Sequence, residues 1–167
     1  MFLSDIEDKT TVFIDANIFV YHFTANSRFN PSCTNFLERV EKGDIRGIIS
    51  ASIVLEVTHR IMIEEAALDF PDIKPKDFVK YLKNHPEIVK NLELNQKIPS
   101  KITMLNIEII PLDMGIIERS QKIKTEYGSL SNDAVILQIM KELNISHLAS
   151  NDSDFDGVDF ITVYKPV

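Results

Sequence analysis

Four acidic side chains stand where carboxylates could do chemistry in this 167-residue sequence. Asp15 closes the β-branched and aromatic run Thr-Val-Phe-Ile-Asp, and Asp152 follows the run His-Leu-Ala-Ser. Asp133 and Glu56 each stand early in an apolar segment. Carboxylate oxygens are the ligands that Mg²⁺ and Mn²⁺ prefer. If the fold brings the four acids together, their mutual repulsion requires a cation or protons to neutralise them.

Alternating strand and helix patterns predict the elements that position these acids. The patterns predict strands at 11–15, 47–49, 107–111, 147–150 and 160–164, and helices at 32–42, from Ser50 or Ser52 to about 68, at 114–126 and at 131–143. This alternation indicates a three-layer α/β/α sandwich with a mainly parallel sheet of about five strands. In such a sheet, functional groups collect beyond the carboxyl ends of the strands. Asp15 and Asp152 both follow that rule.

Asp133 lies in the first turn of a helix for which we predict Ser131 as the N-cap. A helix N-terminus favours an acid for electrostatic reasons alone. However, Ile136, Leu137 and Met140 place an apolar stripe on the same side of the helix. We therefore expect the Asp133 carboxylate to point into the protein or into a cleft.

Glu56 is the most ambiguous of the four acids. At 100° per residue it falls about 60° from Ile53, on the border of the apolar stripe of its helix. It could instead form an ordinary surface ion pair with Arg60, four residues further on. Its position alone leaves both interpretations open.

Residues 1–167 are interpreted as a single domain with a helical insertion at about 69–101. The insertion contains seven lysines and five acidic residues, a local charge of +2. Its aromatic residues Phe78 and Tyr81, with Lys80 and Lys83, could contact RNA by stacking and through phosphates. The alternative is that the aromatic residues form the core of the inserted helices.

Composition limits the function classes. The net charge of −7 argues against sequence-independent nucleic-acid binding through a broad basic surface. The single cysteine, Cys33, excludes an intrachain disulfide and a cysteine-based zinc site. No leader or membrane-spanning run is recognisable, so we expect a cytoplasmic protein with no membrane partner.

Four ordered motifs resemble those of PIN-domain proteins, including the VapC-type toxins. They are Thr-Val-Phe-Ile-Asp-Ala-Asn-Ile-Phe, Ser-Ile-Val-Leu-Glu-Val-Thr-His-Arg, Leu-Ser-Asn-Asp-Ala-Val-Ile-Leu and Ala-Ser-Asn-Asp-Ser-Asp-Phe. No single motif is specific, but their order over residues 11–155 is hard to obtain by chance. The resemblance covers nearly the whole chain apart from 69–101.

The resemblance implies a ribonuclease that hydrolyses RNA phosphodiester bonds with Mg²⁺ or Mn²⁺. It further implies a single-stranded RNA substrate. It leaves open whether the protein is the toxin of a toxin–antitoxin pair, with an antitoxin partner, or a housekeeping nuclease. We also expect a homodimer. The family's catalytic acids match Asp15, Glu56, Asp133 and Asp152. For the metal ligands we take Asp15, Asp133 and Asp152, together with Asp154, which matches a more variable acid. The positions that support the acids by hydrogen bonds match Asn17 and Ser150.

Two other function classes are compatible with parts of the sequence. The segment Asp15-Ala-Asn17 is similar to the nucleophile loop of haloacid-dehalogenase-like phosphatases, but Asn17 stands where the second acid of that loop is needed. Alternatively, the chain is a catalytically silent module for RNA binding or protein interaction. Metal-dependent cleavage of mixed RNA separates the silent module from an enzyme.

Overall fold

A parallel five-stranded sheet forms the centre of the protein in a computed structural model that describes residues 1–167, apart from the side chain of Pro75. The strands are β1 (Thr11–Ile14), β2 (Arg46–Ser50), β3 (Glu108–Ile110), β4 (His147–Ala149) and β5 (Thr162–Tyr164). Their order is β3-β2-β1-β4-β5, and every neighbouring pair is parallel. The central strand β1 is the most enclosed, since Val12, Phe13 and Ile14 are fully buried. The α/β fold predicted from the sequence is confirmed.

Eight α-helices accompany the sheet in the described part of the chain. They are α1 (Ala16–Phe23), α2 (Asn30–Glu41), α3 (Ala51–Asp69), α4 (Phe78–Asn84), α5 (Pro86–Asn91), α6 (Leu94–Thr103), α7 (Met114–Tyr127) and α8 (Ser131–Glu142). Helix α1 packs against α2 and α3, α3 packs against α6, and α7 pairs with α8. Short 3₁₀ turns occur at Leu3–Asp5, Pro75–Asp77 and Ser153–Phe155.

The strand order creates a crevice at the carboxyl end of β1. From β1 the chain builds the sheet outward through β2 to β3, and then returns to place β4 on the other side of β1. Right-handed crossovers in opposite directions put their helices on opposite faces of the sheet. The neighbours β1 and β4 therefore form a topological switch point, where open α/β sheets bind ligands.

The structure corrects two local predictions. Helix α1 was not predicted, although it begins directly after β1 with Asp15 as its N-cap. Ser131 is the first residue of α8 rather than its cap, which is Leu130, and the Ser131 hydroxyl accepts a hydrogen bond from Lys124. A strand that passes directly into a helix leaves no turn signal between the two patterns, which explains why α1 was missed.

Two apolar clusters are present, and neither coincides with the predicted insertion. The main core surrounds the sheet and includes Ile98 and Ile102 of α6. A second cluster joins α3 to α4 and to the segment after α5 through Ala66, Phe78 and Leu82, with Leu92. Phe78 is thus a core residue and not an RNA-stacking surface. The division into one domain with an insertion at 69–101 stays a prediction.

Glu65 connects α3 to the start of α6. Its carboxylate accepts hydrogen bonds from the backbone N–H groups of Glu93, Leu94 and Asn95 at 2.8, 2.9 and 3.0 Å. These bonds lower the pKa of Glu65 against the opposing effect of its desolvation. The carboxylate satisfies N–H groups that have no partner within a helix.

Among the described residues, no helix is both long and apolar enough to cross a bilayer.

Cys33 is buried in the main core, and burial raises the pKa of its thiol to about 12. A thiol of that pKa is unreactive at neutral pH.

The packing of α2 against β2 generates a prediction at Gly47. A methyl group on Gly47 would lie 2.7 Å from Cγ1 of Val40 and 3.0 Å from Cδ1 of Ile14. Overpacking of this kind costs about 1–3 kcal/mol, so Gly47→Ala should lower the free energy of unfolding by that amount in urea titrations. Gly157→Ala is the matched control, because no described atom lies within 4 Å of its new methyl group. Equal stability of the two variants would contradict the packing argument.

Candidate active site

Asp15 is a buried carboxylate held at the point where β1 becomes α1. One carboxylate oxygen accepts a 2.6 Å hydrogen bond from the backbone N–H of Ala16, the first residue of α1. The other accepts hydrogen bonds from the Ser150 hydroxyl at 2.6 Å and from the Asn17 amide. An ionised carboxylate offers about four lone-pair directions. Three are used, so Asp15 retains acceptor capacity for a ligand.

Ser150 and Asn17 join the ends of β1 and β4. The Ser150 hydroxyl, besides donating to Asp15, accepts hydrogen bonds from the Asn17 amide at 3.1 Å and from the backbone N–H of Asp152 at 3.0 Å. The Asn17 side-chain oxygen accepts from the backbone N–H of Asn151 at 3.1 Å. The network fixes the loop after β4, and with it Asp152, relative to Asp15.

Burial makes the charged form of Asp15 costly. Desolvation raises its pKa from 3.8 to about 6, even though the hydrogen bonds from Ser150 and Ala16 act in the opposite direction. The negative charge of Glu56 raises the pKa further, and the positive charge of Arg60 lowers it. A buried acid of raised pKa in a crevice is typical of functional sites.

A surface depression of about 410 Å³ collects the other acids. Its charged lining residues are Glu56 from α3, Asp133 from the first turn of α8, and Asp152 and Asp154 from the loop after β4. Leu130, Ser131 and Asn132 complete the wall. The depression therefore contains four of the five acids selected from the sequence. Asp15 does not line it and lies behind it, close enough for its titration to depend on Glu56.

The nearby acids affect the pKa of Asp133. Its half-buried position raises its pKa from 3.8 to about 6, and the negative charges of Asp152, Asp154 and Glu56 add to that rise. The carboxylate of Glu56 also lies 3.8 Å from the guanidinium of Arg60. Glu56 thus forms the predicted surface pair and faces the acid cluster at the same time.

The donor set fits a hard divalent cation in its chemistry. All five acids offer oxygen ligands, and their repulsion is relieved by a cation. As they stand, however, no three acidic, histidine or cysteine side chains in the described part of the chain converge closely enough to enclose a metal ion. An ion would therefore rely on water or on side-chain movement for part of its coordination shell.

Sequence reasoning missed Tyr21, on the α1 side of the site. Tyr21, one turn after Asn17 on α1, accepts a 3.2 Å hydrogen bond from the Asn151 amide. Its spacing from Asn17 was the available signal, but using that signal required knowledge of helix α1.

Asn17 is an amide, so it cannot serve as the second acid that a dehalogenase-like phosphatase needs at this position. Its side chain is buried in the hydrogen-bond network. A larger surface depression, of about 540 Å³ and lined by Pro31 and Val167, contains none of these acids.

Comparison with known proteins supports the sequence motifs. A family model described as PIN domain matches residues 12–161. The chain is 29% identical to ribonuclease VapC2 of Methanocaldococcus jannaschii over 158 residues, covering 95% of each chain. It is 27% identical to ribonuclease VapC6 of the same organism, covering 93% of this chain and 97% of the relative.

The fold is similar to a solved structure described as VapBC2 from Rickettsia felis bound to a DNA fragment of the promoter. The TM-score is 0.58 at 17% sequence identity, with 95% of this chain and 100% of that chain covered. At that identity the similarity concerns the fold alone. The family model, however, spans most of β1, all of β2 to β4, and the five acids of the site. The chain belongs to the PIN-domain family.

Proposed function

We propose that this protein is a metal-dependent endoribonuclease that hydrolyses RNA at the acid cluster. The observation that carries the proposal is the convergence of Glu56, Asp133, Asp152 and Asp154 in one depression, with Asp15 buried behind it. The cluster lies at the switch point of the sheet, where an α/β fold binds ligands. A silent interaction module has no need of this costly grouping of carboxylates.

The choice of RNA follows from the relatives, since both proteins from M. jannaschii are named ribonucleases and match nearly end to end. By the same reasoning, we propose a single-stranded substrate, a cytoplasmic role as the toxin of a toxin–antitoxin pair, and a homodimer. The R. felis structure is described as a VapBC complex, which supports an antitoxin partner. A small neighbouring gene that encodes a protein able to inhibit cleavage would test the toxin role.

Asp15, Asp133, Asp152 and Asp154 would hold the metal, either Mg²⁺ or Mn²⁺. When bound, a divalent cation lowers the pKa of water and neutralises charge on the phosphate. Asp15 offers its remaining acceptor capacity from a position fixed by Ser150, Asn17 and the N–H of Ala16. That pre-organisation avoids the entropy cost of ordering the ligand during the reaction.

Glu56 is the acid with the most freedom to handle a proton. It stands on α3 across the depression from Asp133, and one third of its side chain is exposed to solvent. It would either complete the metal shell through water or accept a proton from the attacking water. Its carboxylate lies 3.8 Å from the Arg60 guanidinium.

Loss of a metal ligand should abolish cleavage while the fold survives. We expect Asp133→Asn and Asp15→Asn to reduce RNA cleavage in Mg²⁺ or Mn²⁺ by at least about 100-fold, since even outer-shell residues contribute 10–100-fold. Glu56→Gln should also reduce the rate. The measurement is cleavage of a mixed RNA pool by purified variants, with chelator added to a parallel sample of the wild type.

Matched controls separate the site from general charge effects. Glu64→Gln removes an exposed acid on the same helix as Glu56, and Asp72→Asn removes an exposed aspartate outside the cluster. Both should cleave as the wild type does. Wild-type activity in Asp133→Asn, or full activity of the wild type in chelator, would overturn the proposal.

The stability of the metal-free protein should depend on pH through Asp133. Because its folded-state pKa of about 6 exceeds the ordinary 3.8, the folded protein binds more protons than the unfolded chain between these values. Stability therefore falls as pH rises from about 4 to about 6 and stays lower above that range. After discounting for partial exposure, Asp133→Asn should be more stable by about 1 kcal/mol at pH 7 and equal to the wild type near pH 4. Thermal unfolding in chelator checks this, with Asp72→Asn showing no gain.

Divalent cations should stabilise the folded wild type by binding it preferentially. At a concentration of about 100 times Kd, the expected gain is about 2.7 kcal/mol. For a chain of this length, that gain corresponds to a rise in Tm of roughly 5–10 °C. Asp133→Asn should show little of that rise. An equal rise in both proteins would place the binding site elsewhere.

A further inference from the structure

A second depression, of about 260 Å³, lies beside the acid cluster and differs from it in chemistry. It is bounded by α1, α3 and the loop after β4, and its lining residues are Asn17, Tyr21, Arg60, Asn151, Asp152 and Ser153. Asp152 belongs to both depressions, so the two are continuous through that residue. Apart from Asp152, the second depression presents amides, hydroxyls and a guanidinium, whereas the first contains four carboxylates.

Arg60 carries the one positive charge that lines either depression, as far as the described residues show. Its guanidinium is 3.8 Å from the Glu56 carboxylate, too far for a hydrogen bond, and 40% of its side chain is exposed. No described residue accepts a hydrogen bond from it. The planar donors of arginine match the oxygens of a phosphate, so this guanidinium is available to bind an anion.

Aromatic rings and a second arginine continue outward from this depression. The Tyr21 ring packs against Phe29 with centroids 4.9 Å apart. The guanidinium carbon of Arg28 lies 4.5 Å above the Phe29 ring. A cation beside aromatic rings is the arrangement by which proteins hold single-stranded nucleic acid. A chain leaving the acid cluster on this side would meet Arg60, then Tyr21 and Phe29, then Arg28.

We propose that the second depression binds the RNA phosphate next to the one that is cleaved, with Arg60 as its positioning residue. The proposal rests on the proposed ribonuclease function. Nearby carboxylates repel every phosphate of the substrate except where a cation intervenes. Arg60 provides a positive charge that attracts a phosphate, one helical turn from Glu56. It therefore sets the register of the RNA backbone without taking part in bond cleavage.

Steady-state cleavage of a short RNA should separate positioning from chemistry. We expect Arg60→Gln to raise KM about tenfold, because the lost bond is a charge-assisted one, while kcat changes by less than about threefold. Arg60→Lys keeps the charge and should recover part of the loss. Arg46→Gln is the matched control. It also breaks an arginine–glutamate pair, with Glu108, but Arg46 is at the start of β2, at the opposite end of the sheet. A KM equal to that of Arg46→Gln, or a fall in kcat alone, would overturn the proposal.

A neutral linkage in the substrate locates the contact. A methylphosphonate on a 2′-O-methyl ribose removes one phosphate charge, and the same ribose with an ordinary phosphate serves as its reference. When the linkage next to the cleaved bond is neutral, wild type and Arg60→Gln should have the same KM. At more distant linkages, the tenfold difference should persist. If the difference persists at both adjacent linkages, Arg60 does not bind that phosphate.

Equilibrium binding distinguishes failure of this inference from failure of the ribonuclease proposal. Fluorescence anisotropy of labelled RNA is compared for Asp133→Asn with and without Arg60→Gln, over a series of salt concentrations. Arg60→Gln should weaken binding and reduce the salt slope by about 0.7, the value for one phosphate contact on a single strand. Both effects are expected even if the wild type cleaves no RNA, an outcome that would reject only the proposed ribonuclease activity. Equal affinity and equal slope would reject the role of Arg60.

Discussion

The hydrogen bond from the Ser150 hydroxyl to the Asp15 carboxylate is the contact on which the site depends. It links residues 135 positions apart in the sequence, at the carboxyl ends of β1 and β4. Ser150 is fully buried, so its hydroxyl must find partners inside the protein. It finds them in Asp15, Asn17 and the N–H of Asp152. A single hydroxyl thus links the carboxyl ends of β1 and β4 and helps to orient Asp15 and Asp152.

This arrangement has a cost that the rest of the fold offsets. Asp15 is desolvated at the carboxyl end of the central strand β1. Asp133 lies close to acids from two other elements. Each of the two carboxyl groups is less favourable in its charged form than in the unfolded chain. The apolar core around β1, where Phe13 and Ile14 are fully buried, contributes stability that offsets this electrostatic cost. The same unfavourable charge would favour binding of a cation at the cluster.

The sequence contained enough information for the strands and for the acids at their ends, because those patterns are local. The buried stripe of Ile53, Val57 and Ile61 on α3 was likewise readable from its spacing and is confirmed. Helix α1 was missed because no turn residue separates it from β1. The partners of Asp15 and the joint role of Glu56 depend on contacts between elements distant in the chain, which spacing along one helix does not specify.

The electrostatics of the surface reconcile an acidic protein with an RNA substrate. A net charge of −7 disfavours contact with RNA over most of the surface, so binding must rely on local features. Glu56, Asp133, Asp152 and Asp154 line one depression. Arg60 lines the adjacent one, which also contains Tyr21, and Arg28 lies over Phe29, which packs against Tyr21. Electrostatic forces fall off within about 10 Å at ordinary salt, so a guanidinium adjacent to the cluster acts on a phosphate more strongly than remote acids do. The position of Arg60 therefore favours an approach of the RNA from the α1 side.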